Sequence, residues 1–157
     1  MEKITPFLWF NNQAEEAINF YVSIFKNSSI KEIIYHKNAG PQLNETIFTA
    51  SFTLDGQEFM AINGGDYFKF SPAVSFYVNC YTQEEVDSLW EKLSEGGEEM
   101  MCGWVKDRYG ITWQIVPSML SSILKGGDDE IKSKVMKATL EMKKLEINKL
   151  LNAVNKK

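Results

Sequence analysis

Hydrophobic and polar positions change period several times along this chain, and the changes mark its elements. Thr5 to Tyr21 (TPFLWFNNQAEEAINFY) opens with an aromatic, alternating run, passes a polar break and continues at helical spacing behind an acidic first turn. Val74 to Trp90 (VSFYVNCYTQEEVDSLW) does the same, and the two stretches superpose without a gap when 69 is added to each number. Phe7 then matches Phe76, Asn11 matches Cys80, Glu15-Glu16 match Glu84-Glu85 and Tyr21 matches Trp90. Both copies therefore predict a strand followed by a helix. The first helix is expected to bury Ala14, Ala17, Ile18, Tyr21 and Phe25, and the second Val86, Leu89, Trp90 and Leu93, ending at Gly96-Gly97.

After each helix the pattern becomes extended. Ile30–His36, Thr46–Leu54 and Gln57–Ile62 read as strands, the last two joined by the hairpin signal Asp55-Gly56. In the second copy Glu99–Cys102, Trp104–Lys106 and Ile111–Val116 are shorter strand candidates, with a turn at Asp107-Arg108-Tyr109-Gly110. Each half is βαβββ, an α+β arrangement, with repeat one over about 3–64 and repeat two over about 72–117 inside one domain, 1–117.

Beyond Pro117 the period is helical. Ser118–Leu124 is a short helix stopped by Gly126-Gly127, and Asp128 can cap a longer one carrying Ile131, Val135, Met136, Met142 and Leu145. Ile147, Leu150, Leu151 and Val154 continue the amphipathic pattern. This extension, 118–157, is expected to cover an apolar face of its own domain or to form a dimer contact.

Composition narrows the function classes. With 17 basic and 21 acidic residues the 157-residue chain carries a formal charge of -4, which offers little to a phosphate backbone and argues against nucleic acid as a partner. No run approaches the ~20 apolar residues of a membrane-spanning helix, and the N-terminal stretch lacks a signal-peptide pattern, so no membrane partner and a cytoplasmic location are expected. Cys80 and Cys102 read as free thiols, inert when buried, with a thiol pair at strand ends as the alternative. The single histidine, His36, reads as a partly exposed strand residue rather than a ligand.

The paired βαβββ pattern, ITPFLWFNNQAEEAINFYVSIF near the start, LDGQEFMAINGG in the middle and CGWVKDRYGITWQIVP near the end resemble the PhnB-like branch of the glyoxalase/bleomycin-resistance (vicinal oxygen chelate) superfamily. That branch often carries the name 3-demethylubiquinone-9 3-methyltransferase-like. The resemblance implies paired βαβββ units forming a curved mixed sheet around a cavity, with a C-terminal helical tail, usually in a homodimer. In metal-dependent relatives four ligands come from the first and last strands of the two units. Thr5 and Val74 match the first-strand slots, and aligning Asp55-Gly56 with Tyr109-Gly110 makes Met60 the counterpart of Gln114.

Those four residues offer a hydroxyl, a thioether, no donor and an amide, which do not offset dehydration of a divalent ion. No metal and no cofactor are expected. Strand alternation instead puts Thr5, Phe7 and Trp9 on one face, with Met60 and Ile62, Val74, Phe76 and Val78, and Thr112, Gln114 and Val116, as an apolar lining whose main polar group is Gln114. Ile4, Leu8, Phe10, Phe59, Ala61, Trp113 and Ile115 make the opposite, helix-covered set. A solid core of Phe7, Trp9, Met60 and Phe76 with no cavity is the competing picture. Asn63 either reaches the pocket mouth or serves turn chemistry before Gly64-Gly65, and Trp104 is either an aromatic wall or a hairpin-edge packing residue.

Thr5, Phe7, Trp9, Met60, Asn63, Phe76, Trp104 and Gln114 are thus the candidate ligand-binding residues, for a small apolar or aromatic molecule. The alternatives are a metal-dependent lyase, isomerase or dioxygenase of the same superfamily, a protein-interaction module using the tail, and an S-adenosylmethionine methyltransferase. The last wants a glycine-rich loop between a parallel strand and a helix, which is missing here.

Overall fold

The computed structural model describes residues 3–35 and 47–155. Residues Met1 to Phe70 and Ser71 to Lys157 form two compact units. In the first, the elements run β1 (Phe7–Phe10), α1 (Ala14–Ile24), β2 (Ser29–Tyr35), β3 (Ile47–Leu54) and β4 (Gln57–Asn63). Its sheet has the order β1-β4-β3-β2, with β1 parallel to β4 and the other pairs antiparallel. Successive side chains along these strands point to opposite faces, so one apolar face can be buried beneath a helix. Leu8, Phe10, Ala50, Phe52, Phe59 and Ala61 are buried, as are Ala14, Ala17, Ile18 and Tyr21 of α1. Asp55 and Gly56 turn the β3–β4 hairpin with φ of 45° and 80°, the left-handed geometry that an Asp-Gly pair tolerates.

The second unit contains β5 (Ser75–Cys80), α2 (Gln83–Ser94), β6 (Glu98–Glu99), β7 (Trp104–Lys106) and β8 (Thr112–Pro117). Its sheet order, β5-β8-β7-β6, again has the first strand parallel to the last. Both units are therefore βαβββ with a mixed four-stranded sheet. Val105, Trp113, Ile115 and Cys80 are buried with Val86, Trp90 and Leu93 of α2.

Comparing the two ladders shows where the gapless repeat fails. Phe7 pairs with Met60, whereas Gln114, the counterpart of Met60, pairs with Tyr77. The first strands are thus related by an offset of 70, while the helices keep the offset of 69 that sets Tyr21 against Trp90. The difference is one residue in the strand-to-helix turn, Asn11-Asn12-Gln13 in one unit and Tyr81-Thr82 in the other. Because side chains on a strand alternate, that single residue moves Val74, Phe76 and Val78 off the face assigned to them.

Ile4 lies before β1 and is 86% exposed, so no helix covers it. The Glu99–Cys102 candidate is a two-residue strand followed by a turn in which Cys102 and Gly103 have φ of 62° and 80°. Their amides donate to the carbonyls of Met142 and Lys143, both at 2.7 Å, rather than to a ladder. His36 and Thr46, at the ends of two expected strands, lie outside the described residues.

After β8 come α3 (Ser118–Gly126), α4 (Asp129–Leu140) and α5 (Ile147–Asn155). Asp128 caps α4 as expected, its carboxylate accepting the Ile131 N–H at 2.8 Å. The longer helix drawn through Leu145 instead ends at Leu140, and Met142 and Leu145 are buried in the connection. They join Val116, Leu120, Val135 and Leu150 in one apolar cluster, where each fully buried aliphatic side chain contributes about 1.5–3 kcal/mol. Met136, expected on the buried side, is 37% exposed.

Gln83, the first residue of α2, completes this docking. Its Oε1 accepts the N–H of Ile147, the first residue of α5, at 2.8 Å, and its Nε2 donates to the Leu145 carbonyl at 3.2 Å. Beside it Lys144 meets Asp87 at 2.7 Å. The hydrogen bond from Lys144, then that from Gln83, holds the Asp87 carboxyl below its ordinary range, and the same pairing raises Lys144.

Candidate functional site

In the second unit the face of the sheet opposite α2 carries a row of three side chains. Gln114 on the central strand β8 has Trp104 of β7 as its partner on one side and Tyr77 of β5 on the other. The Gln114 Nε2 donates to the Ser75 hydroxyl at 2.8 Å, which fixes an otherwise rotatable amide on the strand flanked by Trp104 and Tyr77. Trp104 and Gln114 are half-buried, Tyr77 is 50% exposed, and the Tyr77 hydroxyl shares a hydrogen bond with Ser121 of α3. Of the sequence candidates, Trp104 and Gln114 come together here and Phe76 does not. The Phe76 ring packs against Trp113 at 5.2 Å on the α2 side of the sheet, the consequence of the one-residue offset. Tyr77 takes its place beside Gln114 for the same reason.

The first unit has its own set. Phe7, Trp9 and Met60 share the helix-free face of β1 and β4. Phe7 is 52% exposed, and Trp9 is pinned: its Nε1 donates to the Gly65 carbonyl at 2.9 Å and Phe68 meets it edge-on at 5.0 Å. Gly64 lies under the indole, where an added Cβ would stand 2.3 Å from ring atoms. Thr5 and Met60 border a recess of about 90 Å³ with Lys31, Ser51 and Glu58. That is room for a few waters, well short of the roughly 300–1,000 Å³ of a drug-sized site.

Asn63 projects to the other face. Its side-chain oxygen accepts the Ala14 N–H at 2.9 Å, capping α1, whose preceding residue Gln13 makes no side-chain cap. The turn that follows is closed by Gly64 and Gly65 amides on the Phe10 and Asn11 carbonyls.

The corrected register also changes the inherited ligand slots. With an offset of 70, the counterpart of Thr5 is Ser75, and Val74 is a 71% exposed residue ahead of the strand. The four positions then hold Thr5, Met60, Ser75 and Gln114, and the second unit's pair is the hydrogen-bonded couple just described. Two hydroxyls, a thioether and an amide are weak, neutral donors, so this set does not fit a resident divalent ion. Among the described residues no three His, Cys, Asp or Glu side chains gather as a metal set.

The residues fit an S-adenosylmethionine loop no better. Neither strand-to-helix turn of a parallel pair, Asn11-Asn12-Gln13 or Tyr81-Thr82, contains glycine. The glycine pairs are engaged elsewhere: Gly64 under Trp9, Gly97 against the Lys106 carbonyl and Gly127 against the end of α3.

Asp107, between β7 and β8, is a buried carboxylate at 2% exposure. One oxygen accepts the N–H groups of Tyr109 and Ile111 at 2.9 and 3.0 Å, and the other accepts the Trp113 indole at 2.8 Å. Its partners make it the organiser of the β7–β8 hairpin. Thr49 and Thr112 carry buried hydroxyls with no hydrogen-bond partner among the described residues.

Cys80 and Cys102 are free thiols. Burial pushes the Cys80 thiol up to about 12, and Glu85 adds to the rise while a backbone hydrogen bond near Val116 opposes it. Iodoacetamide at pH 8 is expected to label Cys102 and to spare Cys80 until the protein is denatured; equal labelling of both in the native state would contradict this. The unfolded chain loses the Cys80 proton first, near 9, so this group's contribution to stability falls as pH rises from about 9 towards 12.

Comparison with known proteins agrees with the topology. The family described as 3-demethylubiquinone-9 3-methyltransferase matches residues 2–116. A PhnB protein from Bacillus cereus, whose description carries the same methyltransferase name, is 42% identical over 74% of this chain and 99% of its own, with a TM-score of 0.69. Protein PA1353 from Pseudomonas aeruginosa shares the fold at 20% identity over 74% of this chain and 98% of its own, with a TM-score of 0.63. No curated protein matches the chain. With its two βαβββ units, its family match and this Bacillus relative, the chain belongs to the PhnB-like family described as 3-demethylubiquinone-9 3-methyltransferase.

Proposed function

We propose that this protein binds a small apolar or aromatic molecule on the face of its second sheet opposite α2, as a sequestering protein without a resident catalytic metal. The observation that carries the proposal is Gln114, held between Trp104 and Tyr77 and tied to Ser75. A single oriented amide between aromatic surfaces suits a flat ligand that gains affinity from ring contact and direction from one polar group. The neutral donor set at the inherited ligand positions supports binding over metal-assisted turnover. The glycine-free strand-to-helix turns weigh against the methyl transfer named in the family's description. Phe7 and Trp9 on the first unit's helix-free face supply a second aromatic surface, and a homodimer is part of the proposal.

A thermal-shift screen of aromatic metabolites, followed by titration of tryptophan fluorescence, tests it. Gln114→Ala is expected to weaken the best ligand about tenfold while leaving the unfolding temperature nearly unchanged. A stoichiometric divalent ion in protein purified without chelators, removed by Gln114→Ala, would overturn the metal-free reading. Sedimentation velocity showing only monomer at micromolar concentration would remove the dimer.

A further inference from the structure

We infer that Ser121, in the helical tail, is a specificity-determining residue of the Gln114 site. The inference rests on the binding proposal above and adds a residue from outside the family match, which ends at residue 116. Tyr77 stands beside Gln114 in the ladder, and its ring is one wall of the proposed site. A half-exposed tyrosine on an open sheet face would ordinarily sample several rotamers, but the hydroxyl of Tyr77 is tied to the Ser121 hydroxyl.

Ser121 is itself held firmly. Leu120, its neighbour in α3, is buried in the tail cluster with Val116, the residue two past Gln114 on the same strand face. The cluster is anchored by the Cys102 and Gly103 amides on the Met142 and Lys143 carbonyls, by Gln83 on Leu145 and Ile147, and by Asp87 on Lys144. The tail thus closes the Val116 end of the face and fixes the Tyr77 ring there. A ligand seated on Gln114 is limited in length along β5 and β8 by this wall, so the tail selects short aromatic ligands over long ones.

Two carboxamides test the inference, because an amide matches the donor and acceptor of Gln114: benzamide as the short probe and biphenyl-4-carboxamide as the long one. Binding is read from the Gln114 side-chain NH2 resonances, and from tryptophan fluorescence where Gln114 is replaced. Wild type is expected to favour benzamide per unit of ring area. Ser121→Ala and Tyr77→Phe, which both break the tie and keep the ring, are each expected to shift the ratio of the two dissociation constants about three- to tenfold towards the long probe. Their double variant should shift it no further, as two ends of one interaction must. A purely structural role for Ser121 would lower stability and leave the ratio alone. An unchanged ratio in either single variant, with benzamide still bound, overturns the inference and leaves the binding proposal standing. Failure of both probes to move the Gln114 resonances in wild type, with Gln114→Ala indistinguishable by fluorescence, overturns both.

Discussion

Asp107→Ala is expected to destabilise the protein by about 3–5 kcal/mol, the largest effect of a single side-chain truncation outside the apolar core. The carboxylate serves three donors, the amides of Tyr109 and Ile111 and the indole of Trp113, and is 2% exposed. Alanine leaves these donors facing a void from which water is largely excluded, and each unsatisfied buried donor costs roughly 1–3 kcal/mol. Asp107→Asn keeps one acceptor oxygen and should fall between. Urea unfolding provides the measurement, with a midpoint lowered by about 2 M for a slope near 2 kcal/mol/M. A midpoint within 0.3 M of wild type, as a rough threshold, would mean that the hairpin closes without its carboxylate.

Gly103→Ala is expected to cost about 2–4 kcal/mol and to loosen the tail selectively. The backbone there has φ of 80°, which already disfavours an L side chain. An added Cβ would stand 2.7 Å from the Ile115 carbonyl oxygen and 3.0 Å from Leu145 Cδ1. Neither can move freely: the Gly103 carbonyl accepts the Ile115 N–H at 2.7 Å, and the Gly103 amide donates to the Lys143 carbonyl at 2.7 Å. Leu145 must shift, and with it the chain that leads into α5. Hydrogen exchange should show amides of residues 147 to 155 exchanging faster while those of β5 and α2 keep their protection. Uniform acceleration would point to global destabilisation instead, and no change would show that the turn absorbs a methyl group.

Much of the fold was legible because its elements keep their periods. The two strand–helix pairs, the Asp55-Gly56 hairpin and the Asp128 cap all follow from local patterning and local chemistry. The site was less legible, and one residue explains most of the loss. Glu15-Glu16 against Glu84-Glu85 and Tyr21 against Trp90 force the helices into a gapless match, which hides a deletion in the preceding turn. Strands have a period of two, so the hidden residue put Phe76 on the wrong face and concealed Tyr77. The break between α4 and α5 left no trace in spacing either. Val135, Met142 and Leu145 are as compatible with one helix as with two, and the break is made by carbonyls drawn to Cys102 and Gly103, distant in sequence. Gln83 gave no local signal because both of its tail partners lie more than 60 residues away.

The two strand–helix turns satisfy the same need over different distances. In the second unit Thr82 caps α2 through the Glu85 amide, and the Glu85 carboxylate returns to the Tyr81 amide, so the start of that helix is complete within five residues. In the first unit the equivalent acceptor is Asn63, 49 residues from Ala14. The α2 cap needs only residues that are neighbours in sequence. The other must wait for the β3–β4 hairpin to form and for β4 to lie beside β1, a closure of a long loop that precedes any reward. Two halves of nearly the same architecture therefore secure their helix starts over different spans, within five residues in one and across 49 residues in the other.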